Sequence, residues 1–249
     1  MLVLFTDFGL EGPYTGQMKA VLLREAPGVP IVDLCADLPP FDAEGAAYLL
    51  AAHQAYFPTG SVFVCVVDPG VGSTREAVIV EADGRQFVGP DNGLLAQVVR
   101  RAQSASAWRI TWAPEQLSSS FHGRNLFAPV AAMLARGDAP PGEPLPPDTI
   151  DRADWPDELA RIVYVDRYGN LVSGHRAAGI DQAQTIAAGG RAIAHGETFS
   201  AVSAGTAFWY ANSSGLIEIA VNQRRADAEL GIGVGDAFTI ADATTGDRG

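Results

Sequence analysis

A chain of 249 residues, 47% of them hydrophobic, with 27 glycines and 16 prolines, can bury a core in one large domain or two modest ones; this composition excludes an intrinsically disordered chain. Its 29 acidic residues outnumber 17 basic ones, and the formal charge of -12 repels phosphate backbones and anionic lipid headgroups, so neither nucleic acid nor a membrane is expected as a partner. Cys35 and Cys65 lie in separate apolar runs, too few for a disulfide framework or a zinc site; they are expected as buried, reduced thiols, and no metal is expected. The start lacks a basic region followed by an apolar one, and no apolar run approaches the roughly 20 residues that span a bilayer, so the expected location is the cytoplasm.

From the N-terminus, short β-rich apolar runs alternate with helical periods, the pattern of a mostly parallel sheet covered by helices. Strands are expected over 2–6, 31–34 and 61–67, helices over 14–25, 42–57, 93–101 and 125–135, and a hairpin of 77–80 with 86–88 around Asp83-Gly84. Residues 137–156 carry six prolines among few apolar residues, which reads as an extended linker. The expected division is therefore an N-terminal α/β domain over 1–148, with its Pro-rich linker from about 137, and a C-terminal all-β, barrel-like domain over 149–249. Strand-like runs there are 161–165, 184–187, 191–194, 207–210, 216–221 and 237–240, separated by Gly-rich turns.

Ligands of open parallel sheets bind beyond the carboxyl ends of the strands, so polar residues that end an apolar run come first. Asp7 and Asp68 both qualify, each entering a glycine-containing turn, Asp7-Phe8-Gly9 and Asp68-Pro69-Gly70-Val71-Gly72. Singly, each reads equally as a turn or helix-cap aspartate. The Asp68 run has no Gly-Lys-Ser/Thr ending, which excludes a P-loop, and Asp7-Phe8-Gly9 lacks the preceding catalytic loop of a kinase. Among four histidines, His122 stands in unusual polar context, Ser118-Ser119-Ser120-Phe121-His122-Gly123-Arg124-Asn125, directly before a helical run; part of this is capping chemistry. Gly89-Pro90-Asp91-Asn92-Gly93, Asp166-Arg167-Tyr168-Gly169-Asn170 and Asn212-Ser213-Ser214-Gly215 are polar turns, each with a plain structural reading.

These blocks, in this order and with Arg75 and the run Glu218-Ile219-Ala220-Val221-Asn222, resemble one family nearly end to end: the S-adenosyl-L-methionine (SAM) hydroxide adenosyltransferases, relatives of fluorinases and chlorinases. The resemblance implies an N-terminal α/β domain, a C-terminal barrel-like domain, and a homotrimer with active sites between subunits. It implies attack of water or hydroxide on the ribose C5′ of SAM, with L-methionine and adenosine as products and no cofactor. Asp68, Arg75 and His122 are then the catalytic cluster. Asp7 corresponds to the carboxylate on the ribose hydroxyls, and Phe41 to an aromatic beside the methionine or ribose part. Asp166 corresponds to the acid that meets the methionine ammonium, and Tyr168 to an aromatic against the adenine. Asn170 and Asn222 lie near the adenine edge, while Ser213 and Ser214 form the turn that receives the methionine carboxylate.

The halogenating relatives lack the aspartate and the histidine, since a halide needs a small dry pocket and a carboxylate repels it. Asp68 and His122 therefore favour hydrolysis over halogenation. A protein that retains adenosine or SAM without turning it over is the alternative from another class. Two departures from the family pattern bear on ligand contacts: Ser173-Gly174 follows in place of a Thr-Asn pair, and Gly12 replaces the acid before Pro13, with Glu11 one place earlier.

Overall fold

The computed structural model describes residues 1–241, and the chain divides into two compact units, Met1–Trp155 and Pro156–Gly249. The first holds, in chain order, β1 (Leu2–Thr6), α1 (Tyr14–Glu25), β2 (Ile31–Cys35), α2 (Ala43–His53), β3 (Val62–Val66), β4 (Ala77–Ala82), β5 (Arg85–Pro90), α3 (Ala96–Arg101), β6 (Ala105–Ile110), α4 (Ala128–Ala135) and β7 (Gly142–Leu145). They form one seven-stranded sheet in the order β2-β1-β3-β5-β4-β6-β7. Its β2, β1, β3 and β5 pair in parallel, and the antiparallel pairings of β4, β6 and β7 leave only β4 and β7 running against the rest.

Both β1 and β3 are buried along their whole length, which explains why Leu2–Thr6 and Val62–Val66 are continuous apolar runs without alternation. Leu2, Leu4, Val62, Val64 and Val66 pack with Met18 and Leu22 of α1 and Val130 and Leu134 of α4 on one face. The helices α2 and α3 pack on each other and contribute nothing to that cluster, so they take the other face. The β4–β5 hairpin closes on Asp83 (φ 46°) and Gly84 (φ 75°), the two left-handed residues of a type I′ turn, as its Asp-Gly pair predicts.

The Pro-rich run does not form a linker. Residues Gly142–Leu145 are the edge strand β7, with Pro144 opposite Trp108 and Leu145 opposite Ala107. Proline lacks an N–H for the ladder, and an edge strand has one side on which that lack costs nothing. The division falls after Trp155 because Arg100 of α3 holds the following segment, donating to Asp151 Oδ1 (3.0 Å) and to the carbonyls of Arg152 (2.5 Å) and Trp155 (2.8 Å). The helix expected from Gly93 starts only at Ala96, since Gly93 sits at φ 98° against the Trp155 ring. The helix expected from Asn125 is α4, preceded by a π-type turn over Gly123–Phe127.

The second unit contains β8 (Leu159–Val165), β9 (Leu171–Arg176), β10 (Thr185–Ala188), β11 (Arg191–Ile193), β12 (Ala207–Ala211), β13 (Leu216–Val221), the short helix α5 (Ala226–Leu230) and β14 (Thr239–Ala241). They build two antiparallel sheets, β12-β13-β9-β8 and β11-β10-β14. Backbone hydrogen bonds join the sheets at both margins: Ile162 N–H to Asp236 and Phe238 N–H to Ala160 on one side, Trp209 N–H to Ala194 and Gly196 N–H to Trp209 on the other. The result is barrel-like, around Ile162, Leu171, Ile186, Trp209, Ile217 and Ile219. Strand β9 escapes a reading of periodicity because its Ser173 is fully buried and donates to the Ile217 carbonyl (2.8 Å), while Gly174 leaves room for Leu159.

No helix among the described residues is long and apolar enough to cross a membrane. Phe63 is fully buried on the sheet face opposite the α1–α4 cluster, stacked on Phe87 (ring centroids 4.7 Å apart) and edge-on to Phe57. Phe63→Ala is expected to cost about 3–5 kcal/mol in urea unfolding, as for large aromatics in closed cores.

Candidate active site

Parallel, in-register pairing of β1 with β3 sets Thr6 beside Val66, so the two strands end side by side and Asp7 and Asp68 enter neighbouring loops. The Asp7 N–H continues the ladder to the Val66 carbonyl (3.3 Å). A cavity of about 390 Å³ opens there, lined by Asp7, Phe8, Tyr14, Phe41, Asp68, Val71, Phe121 and His122 among others. Phe8, Tyr14 and Phe121 meet at ring separations of 5.3 to 5.7 Å and form its aromatic wall. The third loop is drawn in by close backbone approach: a Cβ on Gly72 (φ 79°) would lie 2.4 Å from the Ser119 carbonyl oxygen, so only glycine lets the Asp68 loop touch the loop that carries His122.

Arg75 joins the cluster. One nitrogen, Nη2, donates to Asp68 Oδ2 (2.5 Å) and faces His122 Nδ1 at 3.1 Å, while Nη1 donates to the Glu76 carbonyl (2.8 Å) and the guanidinium lies 5.4 Å from the centre of the Phe127 ring. Both members of the ion pair are buried, their side chains 8% exposed for Arg75 and 5% for Asp68. A guanidinium only donates, so His122 Nδ1 accepts and its proton sits on Nε2. Burial first, and then the Arg75 charge, depress the His122 pKa against the opposing pull of Asp68, which keeps the imidazole neutral. The second oxygen of Asp68, Oδ1, is buried with no hydrogen-bond partner among the described residues.

Asp7 stands apart from that cluster in its chemistry. Burial raises its pKa, partly offset by the Phe41 N–H that donates to Oδ2 (3.1 Å), with the nearby charge of Asp68 adding to the rise. Phe41 makes this bond from φ 68°, a left-handed conformation costly for an aromatic residue, and the residue is 74% exposed. Asn92 of the Gly89–Gly93 turn has a role no motif reading assigned: its Nδ2 donates to the Val67 carbonyl (2.8 Å), fixing the peptide just before Asp68.

In the second unit, a cavity of about 810 Å³ is lined by Asp166, Tyr168, Asn170, Phe199, Tyr210, Asn212, Ser213, Glu218 and Asn222, with Arg224 and Arg225 among its other residues. Asp166 caps its own turn, accepting from the backbone N–H groups of Tyr168 and Asn170 (2.8 Å each) and from Asn170 Nδ2 (3.0 Å), which leaves the Tyr168 ring projecting, 76% exposed. Asn222 is held by its Nδ2 on the Val202 carbonyl (2.8 Å). Ser213 lines the cavity, whereas Ser214, expected as a partner in ligand binding, does not; its N–H is taken by Asn212 Oδ1 (2.9 Å) to close the turn. Phe8, Tyr14, Phe121, Phe199, Tyr210 and Glu218 are among the lining residues to which motif reading gave no role. Phe8, Phe121 and Glu218 stand inside the quoted blocks and Tyr14 opens the first expected helix, but Phe199 and Tyr210 carry no local signal.

Thus Asp7, Phe41, Asp68, Arg75 and His122 gather at one cavity, and Asp166, Tyr168, Asn170, Ser213 and Asn222 at another. Among the described residues no three His, Cys, Asp or Glu side chains are grouped as a metal site. Cys65 is buried as expected, and burial pushes its thiol pKa up; Cys35 is only half-buried, its thiol pushed up to about 12. Because the Arg75 charge depresses the His122 pKa, Arg75→Gln is expected to raise it, followed by NMR titration of the imidazole; an unchanged or lower pKa would contradict the bond pattern.

Comparison with known proteins agrees over both units. The SAM hydroxide adenosyltransferase N-terminal domain matches residues 2–143 and the corresponding C-terminal domain matches residues 160–239. The (R)-S-adenosyl-L-methionine hydrolase of Thermus thermophilus is 40% identical over 91% of this chain and 94% of its own, and that of Salinispora arenicola 33% over 94% and 95%. The crystal structure of an uncharacterized conserved protein from Thermotoga maritima superposes with a TM-score of 0.84 at 29% identity, covering 97% of this chain and 100% of that one. With both domain models matched in order and across most of its length, the chain belongs to the SAM hydroxide adenosyltransferase family.

Proposed function

We propose that this protein is a SAM hydrolase that forms adenosine and L-methionine. The observation that carries the reading is the buried Asp68–Arg75–His122 cluster at the wall of a cavity that also presents Asp7. Relatives at 33 to 40% identity named (R)-S-adenosyl-L-methionine hydrolase support it, and the R form of the sulfonium centre is the substrate form proposed here.

In the reaction, a water oxygen attacks C5′ as the C5′–S bond breaks, and the bonding pair leaves on sulfur as a neutral thioether. The leaving group needs no proton and the step needs no electron carrier, so no cofactor is proposed. What the site supplies is a held, oriented water and a place for its proton. The bond pattern favours Asp68 as acceptor. Its Oδ1 has an open lone pair, while His122 spends Nδ1 on Arg75 and carries its proton on Nε2, which suits it to orient the water rather than to deprotonate it. A carboxylate suffices as base because the water protons become strongly acidic as the new C–O bond forms. The negative Asp68 also opposes entry of a halide, which favours water as the nucleophile.

Asp7, with one oxygen on the Phe41 N–H, retains acceptor capacity for the two ribose hydroxyls, and Phe41 covers the same part of the cavity. The second cavity is proposed to take the rest of the substrate: Tyr168 against adenine, Asn170 and Asn222 near its edge, Asp166 toward the ammonium, and Ser213 with the Ser214 turn toward the carboxylate. We assign the two cavities to neighbouring copies in a homotrimer located in the cytoplasm; a trimer in sedimentation velocity at assay concentrations is the expected state.

Purified protein incubated with the R epimer of SAM should release adenosine and L-methionine in equal amounts, followed by liquid chromatography, and the S epimer should be left largely intact. Asp68→Asn and His122→Ala should each lower kcat by about 10²- to 10⁴-fold. Full turnover in both would remove the cluster from the mechanism, and intact ligand recovered from the wild type would favour a binding protein. Since neutral His122 is needed to accept from Arg75 and its pKa is depressed, activity should be flat at neutral pH and fall on acidification only below the ordinary histidine value of about 6.5. A profile already falling at pH 7.5 would contradict that assignment.

A further inference from the structure

Strand β5 lies between β3 and β4 in the sheet, so the loop that carries Asp68 and Arg75 leaves one neighbour of β5 and returns on the other. The turn Gly89-Pro90-Asp91-Asn92-Gly93 at the end of β5 stands between the two feet of that loop and is bonded to both. On the β3 side, ladder register with β5 ends at Val64 opposite Val88, and the fully buried Val67 receives the Asn92 amide instead, Nδ2 to its carbonyl at 2.8 Å. On the β4 side, the Asp91 N–H donates to the Glu76 carbonyl (3.0 Å), the same oxygen that accepts Arg75 Nη1 (2.8 Å). Between its feet the loop is braced by short-range bonds of its own, the Val71 N–H to the Asp68 carbonyl (3.3 Å) and Ser73 Oγ to the Gly70 carbonyl (2.7 Å). Asn92 is itself oriented, since its Oδ1 accepts the Leu94 N–H (3.2 Å), which turns the donor end of the amide toward Val67.

We infer that Asn92 is a positioning residue for the displacement step: by holding the Val67 carbonyl it fixes the peptide from which Asp68 projects, and through it the contacts of Asp68 with Arg75 and His122; this rests on the hydrolase reading above. A peptide moves as one plane between two soft rotations, and a hydrogen bond that locks its carbonyl removes that freedom. The demand on this peptide is high because the cluster meets through one nitrogen. Arg75 Nη2 reaches Asp68 Oδ2 at 2.5 Å and His122 Nδ1 at 3.1 Å, so a turn of the Val67–Asp68 peptide moves the carboxylate off Nη2 and loosens the guanidinium from the imidazole. The open acceptor Asp68 Oδ1 moves with it. Closing the local turn does not by itself call for an amide. The Leu94 N–H needs one oxygen, which serine, threonine or aspartate supplies equally, whereas Nδ2 is spent on a carbonyl 25 residues earlier. Of these turn-forming residues only asparagine carries an acceptor and a donor on separate atoms.

The test uses two variants of the full-length protein. Asn92→Ser is neutral and keeps an oxygen for the Leu94 N–H, but is too short to reach the Val67 carbonyl as well; Asn92→Asp keeps the shape and sets an oxygen against that carbonyl. In each, kcat on the R epimer of SAM should fall about 10- to 100-fold, the scale of a misplacement of about 1 Å, with KM little changed in Asn92→Ser. The His122 pKa, followed by NMR titration of the imidazole, should rise in Asn92→Ser, because the Arg75 charge that helps to depress it is loosened. Phe63→Ala, which destabilises the same unit without touching the turn, should leave that pKa in place. Unchanged kcat in both Asn92 variants, or an unmoved His122 pKa in Asn92→Ser, would overturn the inference. So would an equal rise in Phe63→Ala, which would reduce Asn92 to a residue of general stability. Absence of SAM turnover by the wild type counts against the hydrolase reading alone, since the imidazole titration reads the placement of the cluster without substrate.

Discussion

The first cavity is organised by one guanidinium. Arg75 reaches Asp68 and His122 through a single nitrogen, rests on the Phe127 ring and is tied to the Glu76 backbone, so the end of β3, the loop toward β4 and the π-type turn before α4 meet on it. Removing one member of so buried a pair leaves the other uncompensated, a cost of about 3–5 kcal/mol that makes the three residues an architectural unit as well as a chemical one. The same contact decides the histidine tautomer, because a donor-only group facing Nδ1 forces the proton onto Nε2. Geometry thus distinguishes two residues that are both plausible bases by residue type.

Around that unit the backbone is held in costly shapes. Phe41 adopts a left-handed φ to deliver its N–H to Asp7, Gly72 allows one loop to press on another, and residues 123–127 make a π-type turn instead of continuing the helix. Such departures persist where surrounding structure over-determines them, and here they cluster within one cavity. The aromatic wall of Phe8, Tyr14 and Phe121 supplies an apolar surface beside two carboxylates, a suitable lining for a ligand that is part sugar, part cation and part hydrocarbon.

A chain with a net charge of -12 attracts a cationic substrate. The acids that matter are presented inward, while arginines around the second cavity are neutralised by Glu229 and Asp227. Asp166 and Glu218 share that cavity but differ in use: one is absorbed in a turn, the other is held by neutral donors on a buried strand. Two acids of similar appearance in sequence therefore have different acceptor capacity.

Fold class, the first three strands, α1, the β4–β5 hairpin and the gathering of Asp7 and Asp68 were legible in the sequence because they depend on local rules: buried parallel strands are continuous apolar runs, Asp-Gly closes a tight hairpin, and residues that follow such runs fall at one edge of the sheet. Strands β7 and β9 were not legible, since the edge position of β7 tolerates proline, and the buried Ser173 of β9 is satisfied by a carbonyl 44 residues away. Likewise no spacing announces that Arg75 bridges Asp68 to His122, that Asn92 fixes the Val67 peptide, or that Tyr210 and Asn212 hold Glu218. The sequence by itself determined which polar residues end the buried strands and stand in the turns; the tertiary structure decided which of them meet and which lone pairs are open, because hydrogen bonds and burial are set by neighbours distant along the chain.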